Sequence, residues 1–486
     1  MRKILFIVPP YNWFGVQSIG TWPPLQLAYL ANVAETVGYE ARIFDAMNQE
    51  LTFDDVRAEI EAYKPDLVMA FDYMPVTGAI ATATVPAALK ALAIAKAFDE
   101  NITTIIGGPH PTFLYEETLL DNPALDYIIR GEAEETIGEL LAALPEGDVS
   151  DIKGIAFMQE GEVVTTSMRP HIADLDAYKP AWHLLDWDIY HYNIEPWGRM
   201  ASILTSRGCM MGCSFCSHRQ FWRGDWRART PENVIEEIRE LVAVHSVEFV
   251  TMIDPYPTND RERWEKLLDL LIEEDLPVDI LMETRVEDIV RDEDILHKYR
   301  DAGVMHLYLG AEGSTDEMLS SLNKGTDVDT NKRALDLARQ YGLTTEASFM
   351  IGGPEETWDS IEKTIEVAIR LNPDIAVFPV LTPMPFTPIA EEYKDRIRVM
   401  DYSKYDLSTP IIEPYAMTLE EVTLALGKCY MTFYANKMRQ VITMPDSFQK
   451  RYMMSAFKEM MKGYGKHFEY LGLKMPKMPK IPGMPF

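Results

Sequence analysis

Cysteine is scarce in this chain of 486 residues: there are four, too few and too unevenly spaced for a disulfide framework. The opening stretch "MRKILFIVPPYNWFG" has too short an apolar run for a secretory signal, so the expected compartment is reducing and cytoplasmic. Basic residues are also short. Forty-six Lys and Arg stand against 76 Asp and Glu, a net charge of -30, which opposes contact with phosphates and excludes nucleic acid as an expected partner. No run of 18 or more uncharged apolar residues occurs, so no membrane span is expected. The first glycine-containing loop, "PPYNWFGVQSIGTWPP", lacks G-x-G-x-x-G, which weakens a dinucleotide-binding reading. What is present is a globular composition, 47% hydrophobic and 10% aromatic, on a chain long enough for two or three domains.

Two series of short apolar runs alternate with helical periodicity. The first, "KILFIVPP", "ARIFDA", "DLVMAF", "ITTIIGG" and "DYIIRG", predicts an α/β domain over 1–145 with a doubly wound parallel sheet, whose ligands bind at the carboxyl ends of the strands. The loops there are "GGPHPT", where Gly107 and Gly108 either admit a close ligand or only make a turn, and the acidic helix start "RGEAEET". Residues 146–198 read as a connector: a small hairpin, then the aromatic stretch "KPAWHLLDWDIYHYNIEPWG" packing between domains. The second series runs "MASILTS", "VEFVTMID", "VDILMET", "MHLYLGA", "TTEASFMIGG" and "DIAVFPVLT". Over 199–392 these six units suit a partial (β/α)6 barrel better than a closed eightfold one of about 250 residues. One helix is marked by Thr230 as cap with Pro231 following. Residues 393–486 read as a helical, Met-rich C-terminal region whose tail "KMPKMPKIPGMPF" is expected to be extended or poorly ordered.

Three of the four cysteines lie in "RGCMMGCSFCSH", directly after the first strand of the second series. Cys209, Cys213 and Cys216 follow C-x-x-x-C-x-x-C. A four-iron cluster ordinarily takes four thiolates, so three leave one iron open. A zinc site completed by His218 is the competing reading, since structural zinc takes four ligands. Cys429, in the helical stretch "LEEVTLALGKCYMTFYANKM", reads as a buried core thiol.

This spacing in the first loop of a partial barrel resembles the radical S-adenosylmethionine (SAM) superfamily, where SAM binds the open iron and is cleaved to methionine and a 5'-deoxyadenosyl radical. The resemblance implies SAM contacts from Phe215 beside the adenine, Asp254, Glu283 and Arg285 at the methionine end, Glu312 at the ribose, and Gly352 and Gly353 of "MIGGPEET" beside the adenine. The preceding parallel-sheet domain, with "IIGGPHPT", "RGEAEE" and "PAWHLLDW", extends the likeness to the cobalamin-binding radical SAM family. The cobalt-ligating motif D-x-H-x-x-G is absent after the first strand. The likeness therefore implies a corrin held without a histidine ligand, near Asn12 and Trp13 and against Gly107, Gly108, Pro109, His110, Thr112, Gly131 and Glu132. His110 is a pocket contact on this reading, or simply a capped loop histidine.

Within the family, "TWPPLQLAYLA", "CSFCSHRQFWRGDWRAR", "TPMPFTPI" and "DYSKYDLSTPIIEPYAM" are similar to the anaerobic magnesium-protoporphyrin IX monomethyl ester oxidative cyclase group of bacteriochlorophyll synthesis. That implies a tetrapyrrole substrate, oxygen drawn from water, and an external electron donor such as flavodoxin or ferredoxin. Met210 and Met211 depart from the proline and aromatic expected there, and with His218 they are read as bordering the substrate pocket. The alternatives are a methyltransferase passing a SAM methyl through cobalamin to an unactivated carbon, and a non-catalytic corrinoid or cluster sensor.

Overall fold

The computed structural model describes the chain except Trp13, 73–81, 145–146 and 471–486. The Trp13 contact and the C-terminal tail therefore lie outside the described residues. The chain forms two compact units, one built of Met1–Asn12, Trp22–Ile189 and Asp401–Lys404, the other spanning Tyr190–Met400 and continuing from Tyr405. The short helix Phe14–Ile19 belongs with the second.

The first unit carries β1 (Lys3–Val8), β2 (Glu40–Asp45), β3 (Leu67–Phe71), β4 (Thr103–Gly107), β5 (Tyr127–Ile129), β6 (Ile155–Gln159) and β7 (Glu162–Thr165). Their order is β2-β1-β3-β4-β5-β6-β7, the first five parallel. Alternate residues of each strand point to opposite faces, and here both faces are apolar. Ile4, Phe6, Val8, Met69 and Ile105 pack with Leu27 and Leu30 of the helix Leu25–Thr36 and Ile137 of the helix Glu134–Ala143. Leu5, Ile7, Val68, Ala70 and Ile106 pack with Val56 and Ile60 of the helix Phe53–Tyr63 and Leu92 of the helix Val85–Phe98. Each such Val, Leu, Ile, Phe or Met side chain contributes about 1.5–3 kcal/mol by leaving water. The sheet order reverses between β1 and β3, the topological switch point whose crevice binds the ligand in doubly wound folds.

The stretch read as a connector is part of this unit as far as Ile189, and its last residues belong to the second. The hairpin β6–β7 pairs antiparallel onto the edge of β5 and lengthens the sheet. The aromatic stretch docks on the unit too: Ala181 N–H bonds the Ala28 carbonyl, and Trp182 and Trp187 are buried with ring centroids 5.6 Å apart. Hairpin pairing across an exposed edge leaves no period that separates it from a free-standing hairpin in sequence.

The second unit carries β8 (His191–Tyr192), β9 (Gly198–Ile203), the hairpin β10 (Ser206–Gly208) and β11 (Trp226–Ala228), then β12 (Phe249–Met252), β13 (Asp279–Thr284), β14 (Val304–Glu312), β15 (Thr344–Phe349) and β16 (Ile375–Val377). The main sheet runs β16-β15-β14-β13-β12-β9-β8, with six parallel strands and antiparallel β8 at the edge, a curled half-barrel of six βα units. Thr230 accepts from Asn233 N–H ahead of Pro231–His245, as expected, and Asp260, Asp327 and Thr357 cap later helices in the same way. The helices Leu419–Thr443 and Phe448–Tyr470 close the unit. Among the described residues no helix is long and apolar enough to cross a membrane.

Registered neighbours in a parallel sheet share a face. One face of the half-barrel is apolar: Ile203, Met252, Met282 and Leu307 form one row, Leu309, Ala347 and Ala376 another. The other, inner face holds Ser202, Thr251, Leu281 and His306 in one row and Glu283, Tyr308 and Glu346 in the next.

Candidate functional site

The cysteine loop is strung between β10 and β11, which pair antiparallel from Ser206↔Ala228 to Gly208↔Trp226. Gly208 enters the loop at φ +93°, and a Cβ there would lie 2.0 Å from the Asp225 carbonyl oxygen, so no other residue fits. The loop is pinned from outside as well. Asn323 Nδ2 donates to the Gly212 carbonyl (2.7 Å) and Ser214 N–H to that of Leu322 (3.0 Å). Asp254, fully buried, accepts from Thr205 N–H (2.9 Å), Thr205 Oγ1 (2.7 Å) and Ser206 Oγ (2.7 Å). Its acceptors are thus spent on fastening the start of the hairpin, which makes it a support for the cysteine loop.

Burial pushes the Cys209 thiol pKa up, with Cys213 adding to the rise, and pushes that of Cys216 up to about 12, where Cys213 and Cys209 add to it. Cys209 and Cys216, buried beside a third thiol in a low-dielectric loop, ionise together only against a strong cationic centre. Among the described residues no three Cys, His, Asp or Glu side chains converge tightly enough for a single ion. His218 does not complete a zinc set: its buried ring accepts at Nδ1 from Trp222 Nε1 (3.3 Å), and burial lowers its pKa to about 4. Cys429 is fully buried in the helix Leu419–Thr443 and supplies no fourth ligand. The donor set fits a cluster whose bulk spreads three thiolates apart and leaves one metal without a protein ligand.

Facing the thiols is a polar group that the sequence reading found only in part. Glu312 ends β14 after a register shift, at φ +59°, an uncommon conformation for a residue with a side chain. Its Oε1 lies 3.2 Å from Lys324 Nζ and its Oε2 accepts from Ser348 Oγ (3.0 Å). Gly310 makes room for this pair, since a Cβ there would stand 2.5 Å from Glu312 Oε1 and 2.6 Å from Lys324 Nζ. Lys324 escaped the sequence reading. Burial opposes its charge, but Glu312 and Cys213 outweigh burial and hold its pKa above the ordinary value. Arg285 bonds Glu287 Oε1 (2.6 Å) and the Lys324 carbonyl (2.7 Å), so it clamps the Lys324 turn and adds positive charge near Cys209 and Cys213. Glu283 points to the same interior, where burial and then the charge of Asp254 raise its pKa to about 8, against the pull of Lys324.

Phe215 packs against the apolar cluster of Leu322, Met350, Leu381, Ile389 and Ile412. Gly353 borders that cluster, its absent Cβ lying 3.6 Å from Leu381, while Gly352 adopts φ +78° and donates N–H to the buried Glu356 (2.7 Å). The structure thus brings the aromatic and the glycine pair to one apolar wall. Met210 is 53% exposed and Met211 partly so, whereas His218 is turned into the protein.

In the first unit the two glycines of "GGPHPT" approach the protein itself. A Cβ on Gly107 would meet Phe71 at 2.9 Å, and one on Gly108, at φ +117°, would meet Asp72 Oδ1 at 1.6 Å. Asp72, which the sequence did not single out, is 3% exposed and accepts from His110 N–H (2.5 Å); its Oδ1 has no partner, and burial drives its pKa well up. Thr112 Oγ1 donates to the Gly108 carbonyl (2.6 Å) and accepts from Gly131 N–H (3.0 Å), tying two loops together, with Pro109 opening the short helix between them. Glu132 accepts from Ile172 N–H (2.7 Å), and Asn12 is exposed. His110 is buried, its Nδ1 3.2 Å from Thr82 Oγ1 and its ring edge-on to Tyr402 at 4.8 Å, and burial lowers its pKa to about 4. A neutral, enclosed imidazole is a packing element of this crevice. The loops offer a corrin backbone, hydroxyl and carboxyl groups, with no exposed histidine among these residues.

Two family models match the chain: the radical SAM superfamily over residues 203–368 and the B12 binding domain over 14–141. The anaerobic magnesium-protoporphyrin IX monomethyl ester cyclase of Rubrivivax gelatinosus is 38% identical over 97% of this chain and 84% of its own length. An uncharacterized methyltransferase of Pyrococcus horikoshii is 31% identical over 92% of this chain and 95% of its own. Among solved structures, the radical SAM methyltransferase TsrM of Kitasatospora setae, with cobalamin and a [4Fe-4S] cluster bound, superposes with a TM-score of 0.70 at 16% identity, covering 96% of this chain and 99% of that one. The cofactors are accordingly a [4Fe-4S] cluster, SAM and cobalamin.

Proposed function

Since this chain belongs to the cobalamin-binding radical SAM family, we propose that it is an anaerobic oxidative cyclase, which closes a carbocyclic ring on a magnesium tetrapyrrole ester with oxygen taken from water. The observation that carries this reading is the 38% identity to a cyclase along nearly the whole chain. The polar inner face of the half-barrel supports it, because oxidation of carbon by water needs groups that orient water and move protons.

When bound, the cluster, SAM and cobalamin supply the one-electron chemistry that removes a hydrogen atom from carbon and carries an electron away. The chain's residues do the rest. Cys209, Cys213 and Cys216 hold the cluster, with Asn323, Leu322 and Asp254 fixing the loop that presents them. Glu312, steadied by Lys324 and Ser348, is an acceptor for hydroxyls, and the Lys324 ammonium offsets negative charge gathered at the thiolates. Phe215 and the Gly352–Gly353 turn form an apolar wall for a flat base. Glu283, with a pKa near 8, is a hydrogen-bond donor at neutral pH. In the first unit the loops after β1, β4 and β5 hold the corrin.

The methyltransferase reading draws support from the Pyrococcus relative. Anaerobic turnover with methyl-labelled SAM separates the two by mass spectrometry. A cyclised, unlabelled tetrapyrrole with labelled methionine is the expected result; label in the product overturns the cyclase reading.

A further inference from the structure

Below Glu312 the inner face of β15 carries Ser348 and then Glu346, two residues, or about 7 Å, farther into the half-barrel. Glu346 is 15% exposed, and among the described residues no side chain donates a well-aligned hydrogen bond to its carboxylate. Its partner is His306, 8% exposed, whose Nε2 stands 3.0 Å from Glu346 Oε2 but off the line of a hydrogen bond. His306 Nδ1 lies 2.7 Å from the Tyr452 hydroxyl, which in turn shares a hydrogen bond with the Tyr192 hydroxyl. Tyr308 is the registered neighbour of Glu346 on the inner face, and the charge of the carboxylate adds to the burial that raises the hydroxyl pKa of Tyr430, Tyr434 and Tyr464, while Asp279 adds likewise at Tyr192 and Tyr452.

The remaining carboxyls of the interior are engaged: Asp254 by Thr205 and Ser206, Glu312 by Lys324 and Ser348. Burial and Asp254 raise the pKa of Glu283. Glu346 is left as an open carboxylate with a relay behind it. Among the described residues no lysine or arginine forms an ion pair with it, and His306 behind it leads to the Tyr452 hydroxyl.

We propose that Glu346 accepts the proton released when carbon is oxidised inside the half-barrel, with His306 and Tyr452 as positioning residues that pass it on. This rests on the cyclase reading. For each carbon–hydrogen bond oxidised, R–H, water and SAM become R–OH, methionine, 5'-deoxyadenosine and one proton. The hydrogen atom leaves on the deoxyadenosyl carbon, and the one electron carbon then loses replaces the electron that the cluster spent in cleaving SAM. The new carbon–oxygen bond forms as one O–H bond of water breaks, and that proton goes to Glu346.

The test uses the reconstituted holoenzyme with the magnesium tetrapyrrole ester, measuring 5'-deoxyadenosine and oxygenated product together. Glu346→Gln keeps the shape of the side chain; it should leave 5'-deoxyadenosine within about 3-fold of wild type and lower oxygenated product about 100-fold or more. Glu346→Asp should recover at least about a tenth of the product rate, and Tyr452→Phe should slow product about 10-fold without changing 5'-deoxyadenosine. Product from Glu346→Gln at the wild-type rate overturns the proposal. So does a parallel fall of both outputs that Glu346→Asp does not relieve, because that marks a prop for the helix Phe448–Tyr470. A wild-type enzyme that makes 5'-deoxyadenosine but methylates the substrate instead defeats the cyclase reading itself.

Discussion

In the first unit Ile4, Phe6 and Val8 of β1 point to one apolar cluster while Leu5 and Ile7 point to the other; in the second, the same alternation along β13, β14 and β15 puts Met282, Leu307 and Ala347 on one side and Glu283, Tyr308 and Glu346 on the other. The strand geometry is common to both, and the side-chain chemistry differs. A sheet buried in apolar side chains on both faces can act only from its strand ends, which is where Asp72, Gly108 and His110 gather. A sheet curled around a polar face can use the length of its strands. That is why the first unit suits a carrier of a preformed cofactor and the second suits chemistry on a substrate.

The largest effect that tests this contrast comes from the thiols. Cys216→Ala should abolish cluster assembly and with it all 5'-deoxyadenosine formation, measured by iron content and chromatography, while the apoprotein remains folded. Next, the two faces should respond differently to truncation. Ile105→Ala in the first sheet should cost about 2–5 kcal/mol in denaturant unfolding, whereas Tyr308→Phe on the inner face of the half-barrel should cost less than about 1.5 kcal/mol. Equal costs would show that the half-barrel interior is an ordinary core.

Glu283 gives a pH-dependent version of the same comparison. Its folded pKa, about 8, lies above the unfolded value of 4.5, so the native state binds the extra proton and its stability contribution is lost as pH rises between them. Glu283→Gln, compared with wild type in the cofactor-free protein, should therefore gain relative stability from pH 5 to 8, by up to about 1.4 kcal/mol per pH unit. A pH-independent difference would mean that the carboxyl is not desolvated. At the first sheet's end, Gly108→Ala, at φ +117° and against Asp72, should cost about 1–3 kcal/mol and reduce corrin retention, read from melting and visible absorbance.

Much of this was legible in sequence, for physical reasons. Strands apolar on both faces write themselves as continuous apolar runs, so all five parallel strands of the first unit stand out, and the six of the second show as shorter apolar runs separated by helical periodicity. Cys209, Cys213 and Cys216 declare themselves by spacing, and Thr230 by the proline after it. Lys324 had no such signal: a lysine in the turn "LNKG" resembles any solvated lysine until Gly310 and Glu312 close over it. Asp254 looked like a ligand-facing carboxylate because a strand's end is where such residues sit, yet its hydrogen bonds run back to Thr205 and Ser206. His306, Glu346 and Tyr452 meet only because three distant segments fold together, and no local period records that.

The central claim is that this half-barrel oxidises a tetrapyrrole carbon with water. Anaerobic turnover in oxygen-18 water tests it directly. The account predicts a cyclised product whose new oxygen carries the heavy isotope, formed with 5'-deoxyadenosine; a product lacking that isotope, or a substrate returned with an added methyl group, would contradict it.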